Sequence, residues 1–441
     1  MPSSPAIATL TSACPKDWQV VPLAEVAYFQ EGPGILAKDF REAGVPLLRL
    51  KCVEGDYVTL DGCNFLDPDM VARNWSHFRV DIGDLLISTS ASLGRVSVVT
   101  SQSAGGVPYT GLIRFKPKDL RLLQGYLKVF LGSAAFIEQA ESMASGSVIR
   151  HFGPSHIRQM AILLPPLDQQ VAIGAVASLL DERLRLLRQT NTTLESIAQA
   201  LFKSWFIDFD PVRAKVEGRE PEGMDAATAA LFPAEFEESA LGLIPKGWRA
   251  AEVGEVFRVT MGQSPPGDTY NEEGEGIPFY QGRADFGFRF PAVRVHCTAP
   301  TRLAMASDVL VSVRAPVGDV NVALEECAVG RGVAAVGFDK APSFALYSMK
   351  ALRNRFTEYE SHGTVFGAIN KKQFEALPCV LPSPDVLAAF SSNVGPLDER
   401  LRLNELQIRS LTELRDTLLP RLISGKLRLP EAQEPLEESF A

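Results

Sequence analysis

Two stretches of the chain carry apolar residues at alternating intervals of three and four, the spacing of a coiled-coil contact face. For one such helix, packing on its own domain is the simpler interpretation, but two in equivalent places favour pairing with each other. Each stretch also has an asparagine in this face, which would fix the register at some cost in stability. The predicted contact residues are Leu180, Leu184, Leu187, Asn191, Leu194 and Leu201, and Leu397, Leu401, Asn404, Ile408, Leu411 and Leu418.

Short β-rich runs precede each predicted helix and are separated by Gly, Ser and Pro turns. Examples are residues 84–88, 96–100 and 112–115. A Pro-Pro or Pro-Ser-Pro sequence then punctuates the chain before each helix. This order of elements predicts an α+β protein.

The chain repeats itself, which is best seen in the heptapeptide LDERLRL at 180–186 and again at 397–403. Upstream matches keep the same order, including DLLIS at 84–88 with DVLVS at 308–312, and PKDW at 15–18 with PKGW at 245–248. Five ordered matches indicate a tandem duplication. We therefore predict two mixed, β-rich domains in a pseudo-two-fold arrangement, separated by two long antiparallel coiled-coil helices.

The repeat sets the predicted boundaries of the domains. In chain order they are a first domain at 1–165, a central helix at 166–206, a linker at 207–244, a second domain at 245–382, a second helix at 383–425 and an acidic tail at 426–441. The first contact face, 180–205, has 26 residues and would be roughly 39 Å long. One turn of B-DNA is about 34–36 Å. One hypothesis is therefore that the helices hold two DNA-reading domains one turn apart.

Composition excludes several classes of protein. Of 441 residues, 46% are hydrophobic and 22% charged, as in globular proteins. No apolar stretch is long enough for a bilayer, the first 14 residues do not resemble a signal peptide, and the six cysteines show no CxxC spacing. We expect a cytoplasmic protein with reduced thiols and no membrane partner.

The net charge of −9 is unevenly distributed. Residues 1–165 and 245–382 are neutral, whereas 166–244 and 383–441 carry −6 and −3. The acidity therefore lies mainly in the helical and linker segments, and the global sign neither supports nor excludes nucleic acid as a partner. An acidic helix suits contact with protein better than nonspecific contact with DNA.

Motifs for catalysis are missing from the sequence. It has no Gly-rich cofactor loop with an Asn/Asp-Pro-Pro-aromatic tetrad, and SGKL at 424–427 lacks the rest of a phosphate loop, so it is expected to cap the second helix. The five histidines show no HxxxH or HExxH spacing, so we expect no metal site. Binding is the favoured class of function.

Several strings resemble the specificity (S) subunits of type I restriction–modification enzymes. They are LPPLDQQ at 164–170, AQALFKSWFIDFDPVRAK at 198–215, LIPKGW at 243–248 and LPRLISG at 419–425. The second copy departs from the family, because Pro384-Asp385-Val386 lacks the glutamine that follows Asp168 in the first.

The resemblance implies a fold of two target recognition domains separated by paired helices, and a subunit that is not itself an enzyme. Such a subunit binds a bipartite double-stranded DNA sequence and directs two methyltransferase (M) subunits to adenine N6. The implied cofactors belong to the complex: S-adenosylmethionine for the M subunits, and ATP with magnesium for up to two restriction (R) subunits. None is expected in this chain.

Base reading in the major groove uses Arg or Lys for guanine and Asn or Gln for adenine, and phosphate contacts use basic side chains. Each candidate also has a simpler interpretation as solvated charge or, for Tyr280, as core packing. Lys371 and Lys372 are the most plausible phosphate contacts. The candidate DNA-binding residues are Arg49, Lys51, Arg95, Arg150, His151, Tyr280, Gln281, Arg283, Arg314, Arg331, Lys371 and Lys372.

Two other functions stay open from the sequence. A two-headed protein adaptor that does not itself bind DNA would suit the paired helices and the net acidity. A self-contained methyltransferase or nuclease is disfavoured by the missing motifs.

Overall fold

The computed structural model describes residues 15–89, 95–143, 152–357 and 367–428. They form two compact units: the described parts of Met1–Leu186 with those of Ile408–Ala441, and the described parts of Leu187–Gln407. Each unit has its own hydrophobic core.

The first unit contains two four-stranded sheets and a two-stranded ribbon that pairs β1 with β10. The sheet orders are β2-β9-β6-β7 and β3-β5-β4-β8. The strands are β1 Gln19–Pro22, β2 Ala27–Glu31, β3 Phe40–Arg41, β4 Val45–Leu48, β5 Asn64–Leu66, β6 Leu85–Ser88, β7 Val96–Val98, β8 Val107–Pro108, β9 Leu112–Pro117 and β10 Ala161–Leu164.

The second unit has a four-stranded sheet, β14-β22-β19-β20, a five-stranded sheet, β15-β17-β16-β21-β18, and the ribbons β11-β12 and β13-β23. The strands are β11 Phe236–Ser239, β12 Gly242–Pro245, β13 Arg249–Glu252, β14 Arg258–Met261, β15 Tyr270–Asn271, β16 Ile277–Tyr280, β17 His296–Cys297, β18 Leu303–Ala304, β19 Val309–Ser312, β20 Val320–Val322, β21 Cys327–Val329, β22 Val333–Gly337 and β23 Pro378–Leu381.

The two units share one strand plan. The sheet β2-β9-β6-β7 corresponds strand for strand to β14-β22-β19-β20, and the second sheets differ only by the added edge strand β18. In both second sheets one pair is parallel, β4 with β8 and β16 with β21. The predicted α+β class is confirmed, and the repeat of the sequence is a repeat of the fold.

The helices are short except for two of 40 residues each, which we call the first and second long helix. They are α1 Leu23–Val26, α2 Pro68–Met70, α3 Gln124–Leu131, α4 Ala134–Met143, α5 Pro154–Ile157, α6 Leu167–Phe206 (the first long helix), α7 Asp210–Val216, α8 Ala226–Ala230, α9 Val253–Val256, α10 Pro342–Ala351, α11 Arg353–Thr357, α12 Lys371–Glu375 and α13 Pro384–Ile423 (the second long helix). A π-helical turn, Val71–Trp75, and short 3-10 turns complete the described helical structure.

A duplicated aspartate fixes the turn before the same strand in both units. The backbone N–H of Asp81 donates to the carboxylate of Asp84 at 2.7 Å. In the second unit the N–H of Met305 donates to Asp308 at 2.9 Å. Both aspartates are buried and each pairs with an arginine, so the repeated DxLxS string has a structural role.

In the second unit the two long helices pack side by side in antiparallel orientation. The Asn404 side-chain amide donates to Asn191 Oδ1 at 2.8 Å. Eleven residues further along the first helix, Phe202 meets Phe390 of the second, with ring centroids 5.9 Å apart. Residue numbers therefore rise along one helix as they fall along the other, which defines the antiparallel orientation.

The predicted contact residues of the helices are all buried or half-buried. Asn191 and Asn404 are both 1% exposed, and the side-chain N–H of Asn191 donates to Glu405 Oε1 at 2.7 Å. Their amides are therefore satisfied, as buried polar groups must be. Leu180, Leu184, Leu187, Leu401, Leu411 and Leu418 are buried, and Leu194, Leu201, Leu397 and Ile408 are half-buried.

Each long helix ends against aromatic or proline side chains of its unit. At the end of the first, Trp205 and Phe206 pack with Phe232 and Trp248 in the core. At the end of the second, Gly425 adopts the left-handed conformation (φ 69°) that terminates helices. A side-chain carbon there would meet Pro15 at 2.3 Å. The 424–427 string is therefore a helix cap.

Candidate nucleic-acid interface

Four of the predicted residues in the second unit line one surface cavity of about 180 Å³ at the end of strand β16. The cavity residues are Gln281, Gly282, Arg283, Arg314, Ala315, Arg331 and Gly332. Three of them are arginines and none is acidic. A concave, cationic surface of this kind suits an anionic ligand such as a phosphate.

The backbone places Gln281 and Arg331 side by side. The N–H of Gly330 donates to the carbonyl of Tyr280 at 2.9 Å, and the N–H of Gly332 donates to that of Gln281 at 3.1 Å. A side-chain carbon at Gly332 would lie 2.4 Å from the Gln281 carbonyl oxygen, so only glycine allows this approach. The Gly330–Gly332 turn therefore presents Arg331 beside the strand end.

The arginines of the cavity are held to different degrees. Arg283 forms an ion pair with Asp319 at 2.8 Å. Arg331 Nε donates to the Ser264 hydroxyl at 3.2 Å, a neutral partner that leaves its charge available. Arg314 is exposed, and its backbone forms a bridge with Ala368. Two of the three guanidinium charges thus lack a carboxylate partner within the described residues.

The equivalent place in the first unit is the end of strand β4, where Arg49 and Lys51 are both exposed. Arg49 Nη1 donates to Asn64 Oδ1 at 2.9 Å. Its guanidinium also lies 5.9 Å from the centre of the Tyr109 ring, within the range of a cation–π contact. The Arg49 side chain is therefore oriented by two neighbours.

Other predicted residues lie elsewhere. Arg95 lines a separate cavity of about 400 Å³ with Lys128, Asp181 and Asp416. Lys371 begins helix α12 and pairs with Glu375 at 3.5 Å, and Lys372 is exposed beside it. Arg150 and His151 lie outside the described residues.

The prediction of Tyr280 as a DNA-contacting residue is wrong in this structure. Its side chain is 2% exposed and packs in a core with Leu310 and Val329. The residue is the last of the buried strand β16, and the first exposed position is Gln281. Gln281, which directly follows the strand, is therefore the residue that is exposed to a ligand here.

A buried ionic network in the second unit was not found from the sequence. Arg289, 3% exposed, forms ion pairs with Glu195 of the first long helix and, at 2.9 Å, with Asp398 of the second. Lys350 also pairs with Glu195, and the Tyr347 hydroxyl donates to Asp398 at 3.0 Å. Arg289 and Tyr347 belong to the β-rich domain, so the network joins this domain to both helices.

Electrostatics within the network favour the charged carboxylate. Burial raises the pKa of Glu195, but the charges of Arg289 and Lys350 outweigh it and hold that pKa below its ordinary value. Burial lowers the pKa of Lys350 despite the Glu195 charge. Burial also raises the pKa of Tyr347, which keeps its hydroxyl protonated as a donor.

The repeated heptapeptide presents the same outer surface in both units. Its last leucine is 44% exposed at Leu186 and 45% exposed at Leu403. Beside each leucine lies an ion pair within the helix, Arg185 with Glu182 at 2.5 Å and Arg402 with Glu399 at 2.7 Å. Two copies of one apolar and charged surface are thus available to partners.

No group of three or more His, Cys, Asp or Glu side chains among the described residues could hold a metal ion. No helix in the described ranges is long and apolar enough to cross a membrane.

Comparison with known proteins places the chain beside one family. Residues 15–196 match the family model of the type I restriction modification DNA specificity domain. A putative type I restriction enzyme MjaX specificity subunit from Methanocaldococcus jannaschii is 26% identical over 429 residues, 94% of this chain and 95% of the relative. The HindI specificity subunit from Haemophilus influenzae is 26% identical over 328 residues, 62% of this chain and 70% of that protein.

A solved structure shows the same fold. The S subunit of a type I restriction–modification system from M. genitalium has a TM-score of 0.57 at 17% identity. The similarity covers 92% of this chain and 96% of that one. The likeness therefore extends over both units and both long helices.

Proposed function

We propose that this chain is a specificity subunit of a type I restriction–modification system and that it selects the DNA sequence at which its partner subunits act. Its recognition domains, 1–165 and 245–382, each read one half of a bipartite target. The chain carries no catalytic centre of its own, and it directs N6-adenine methylation by M subunits and cleavage by R subunits where these are present. It acts in the cytoplasm.

One observation carries this proposal: both units present polar and basic side chains at the end of the same strand. Arg49 and Lys51 follow β4, and Gln281 and Arg283 follow β16. Arginine and glutamine are side chains that read bases, while the surrounding cations suit phosphates. Recognition of a bipartite target requires two equivalent DNA-binding domains on one chain.

The long helices supply the surface for partners in this proposal. The duplicated heptapeptide offers two similar docking surfaces, centred on Leu186 and Leu403, which supports two copies of one M subunit. S-adenosylmethionine would bind to the M subunits, and ATP with magnesium to the R subunits. The helices also set the unread spacer between the half-sites.

The experiment is co-expression of the chain with its M subunit in a host that lacks adenine methylation, followed by sequencing of methylated DNA. We expect N6-methyladenine in both halves of one split motif. Expression of either protein alone is the control and should give no methylation. A stable complex without new methylation would contradict the proposal and favour the two-headed protein adaptor.

A further inference from the structure

We propose that the two domains read different bases at equivalent positions, with Arg49 reading guanine in one half-site and Gln281 reading adenine in the other. This inference rests on the proposed function and names the residues that determine specificity. It also predicts that the two halves of the target differ.

The equivalence of the two positions follows from the backbone. Strands β4 and β16 each pair in parallel with a short strand, β8 or β21. Just beyond the pairing, the N–H of Tyr109 donates to the carbonyl of Leu48 at 2.8 Å, and the N–H of Gly330 donates to that of Tyr280 at 2.9 Å. Arg49 and Gln281 are the residues that directly follow these carbonyls, so the fold presents both from the same place.

Arg49 is already arranged as a fork. Asn64 accepts one N–H of its guanidinium at 2.9 Å, and the Tyr109 ring lies against its face. Guanine offers two acceptors, O6 and N7, that match two parallel N–H donors of an arginine. A guanidinium that its neighbours already orient loses less conformational entropy when it binds. This favours a directed contact with a base over a nonspecific contact with phosphate.

Gln281 is the neutral member of a cationic surface. Arg283, Arg314 and Arg331 around it supply the positive charge, and the glutamine adds none. Its amide carries one donor and one acceptor group, which match adenine N7 and N6. Gly282 and Gly332, its neighbours in the cavity, have no side chains that obstruct it. Within the described part of the chain, this exposed amide makes no hydrogen bond.

The test uses the complex of the full chain with its M subunit, and scores methylation at every site of the host DNA. Arg49→Lys keeps the charge and removes the fork, and Gln281→Met keeps the shape and removes the amide. Each exchange is expected to reduce the preference for one base in one half-site by about 10- to 100-fold, while the other half-site stays unchanged. Arg73→Lys and Gln102→Met make the same exchanges at exposed positions outside these strand ends and should leave the motif unchanged.

The possible results separate the inference from the proposed function. A motif that is identical in all four variants overturns the inference, as does a uniform loss of methylation with unchanged base preference, which marks a phosphate or structural contact. The inference is also overturned if Arg49→Lys loses the preference for a base other than guanine, or if Gln281→Met loses the preference for a base other than adenine. Absence of methylation with the unaltered chain refutes the proposed function itself.

Discussion

Replacement of Arg289 by methionine is expected to destabilise the second unit. The Arg289 side chain is 3% exposed and lies between the carboxylates of Glu195 and Asp398. Removing one member of a buried ion pair costs about 3–5 kcal/mol, because the remaining charge stays out of water. Glu195 keeps Lys350 as a partner and Asp398 keeps Tyr347, so we expect the lower end, about 3 kcal/mol.

Hydrogen exchange measured by mass spectrometry can locate this effect. A loss of about 3 kcal/mol corresponds to about 100-fold faster exchange or more at the most protected amides of the second unit. Amides of the first unit should not change. Arg219→Met removes an exposed ion pair with Glu217 in the same unit and should have no measurable effect.

The stability that the Glu195 ion pairs contribute is expected to depend on pH. Because the pKa of Glu195 in the folded protein lies below its ordinary value of 4.5, its ion pairs contribute stability fully above about pH 4.5. That contribution is lost as the pH falls through the lowered pKa. The difference between wild type and Arg289→Met should therefore shrink on acidification. A difference that stays constant, or equal changes in both units, would refute the role given to Arg289.

Three further predictions concern the helices and the cavity. Asn191→Leu should lower the free energy of unfolding by about 1–3 kcal/mol, because the Asn404 amide loses its acceptor, and the double variant with Asn404→Leu should recover it in thermal unfolding. Gly332→Ala should weaken binding to target duplexes, because its new carbon would meet the Gln281 carbonyl, whereas Gly34→Ala, which has open space, should not. Arg314→Gln should lower the slope of log affinity against log salt by about 1 in binding titrations without changing base preference.

The sequence predicts the architecture well because the duplication and the helical periodicity are local patterns. Leu180 and Leu397 stand in identical heptapeptides, so the second copy supports the interpretation of the first. The pairing of Asn191 with Asn404 could be anticipated because a polar residue in an apolar contact face needs a partner on the facing helix. The structure places these two amides 2.8 Å apart.

The candidate site was predictable only to within a residue or two. Strand β16 ends at Tyr280, and a single step changes a residue from buried to exposed, so the sequence pattern cannot separate Tyr280 from Gln281. The grouping of Arg314 and Arg331 with Gln281 depends on bonds between distant segments, such as that from Gly332 to Gln281. Arg95, another candidate residue, lines a different cavity, which belongs to the first unit and also contains Lys128 and Asp181.

The identical heptapeptides show most clearly where local sequence stops determining environment. Asp181 and Asp398 occupy the same position in LDERLRL, yet Asp181 pairs with Lys128 at 2.6 Å at a partly exposed site. Asp398 instead receives Arg289 and Tyr347 in the buried network. The helix fixes where each carboxylate points, but its partners come from domain segments whose sequences have diverged between the copies. The helices can therefore stay alike while each domain is attached to them by different side chains.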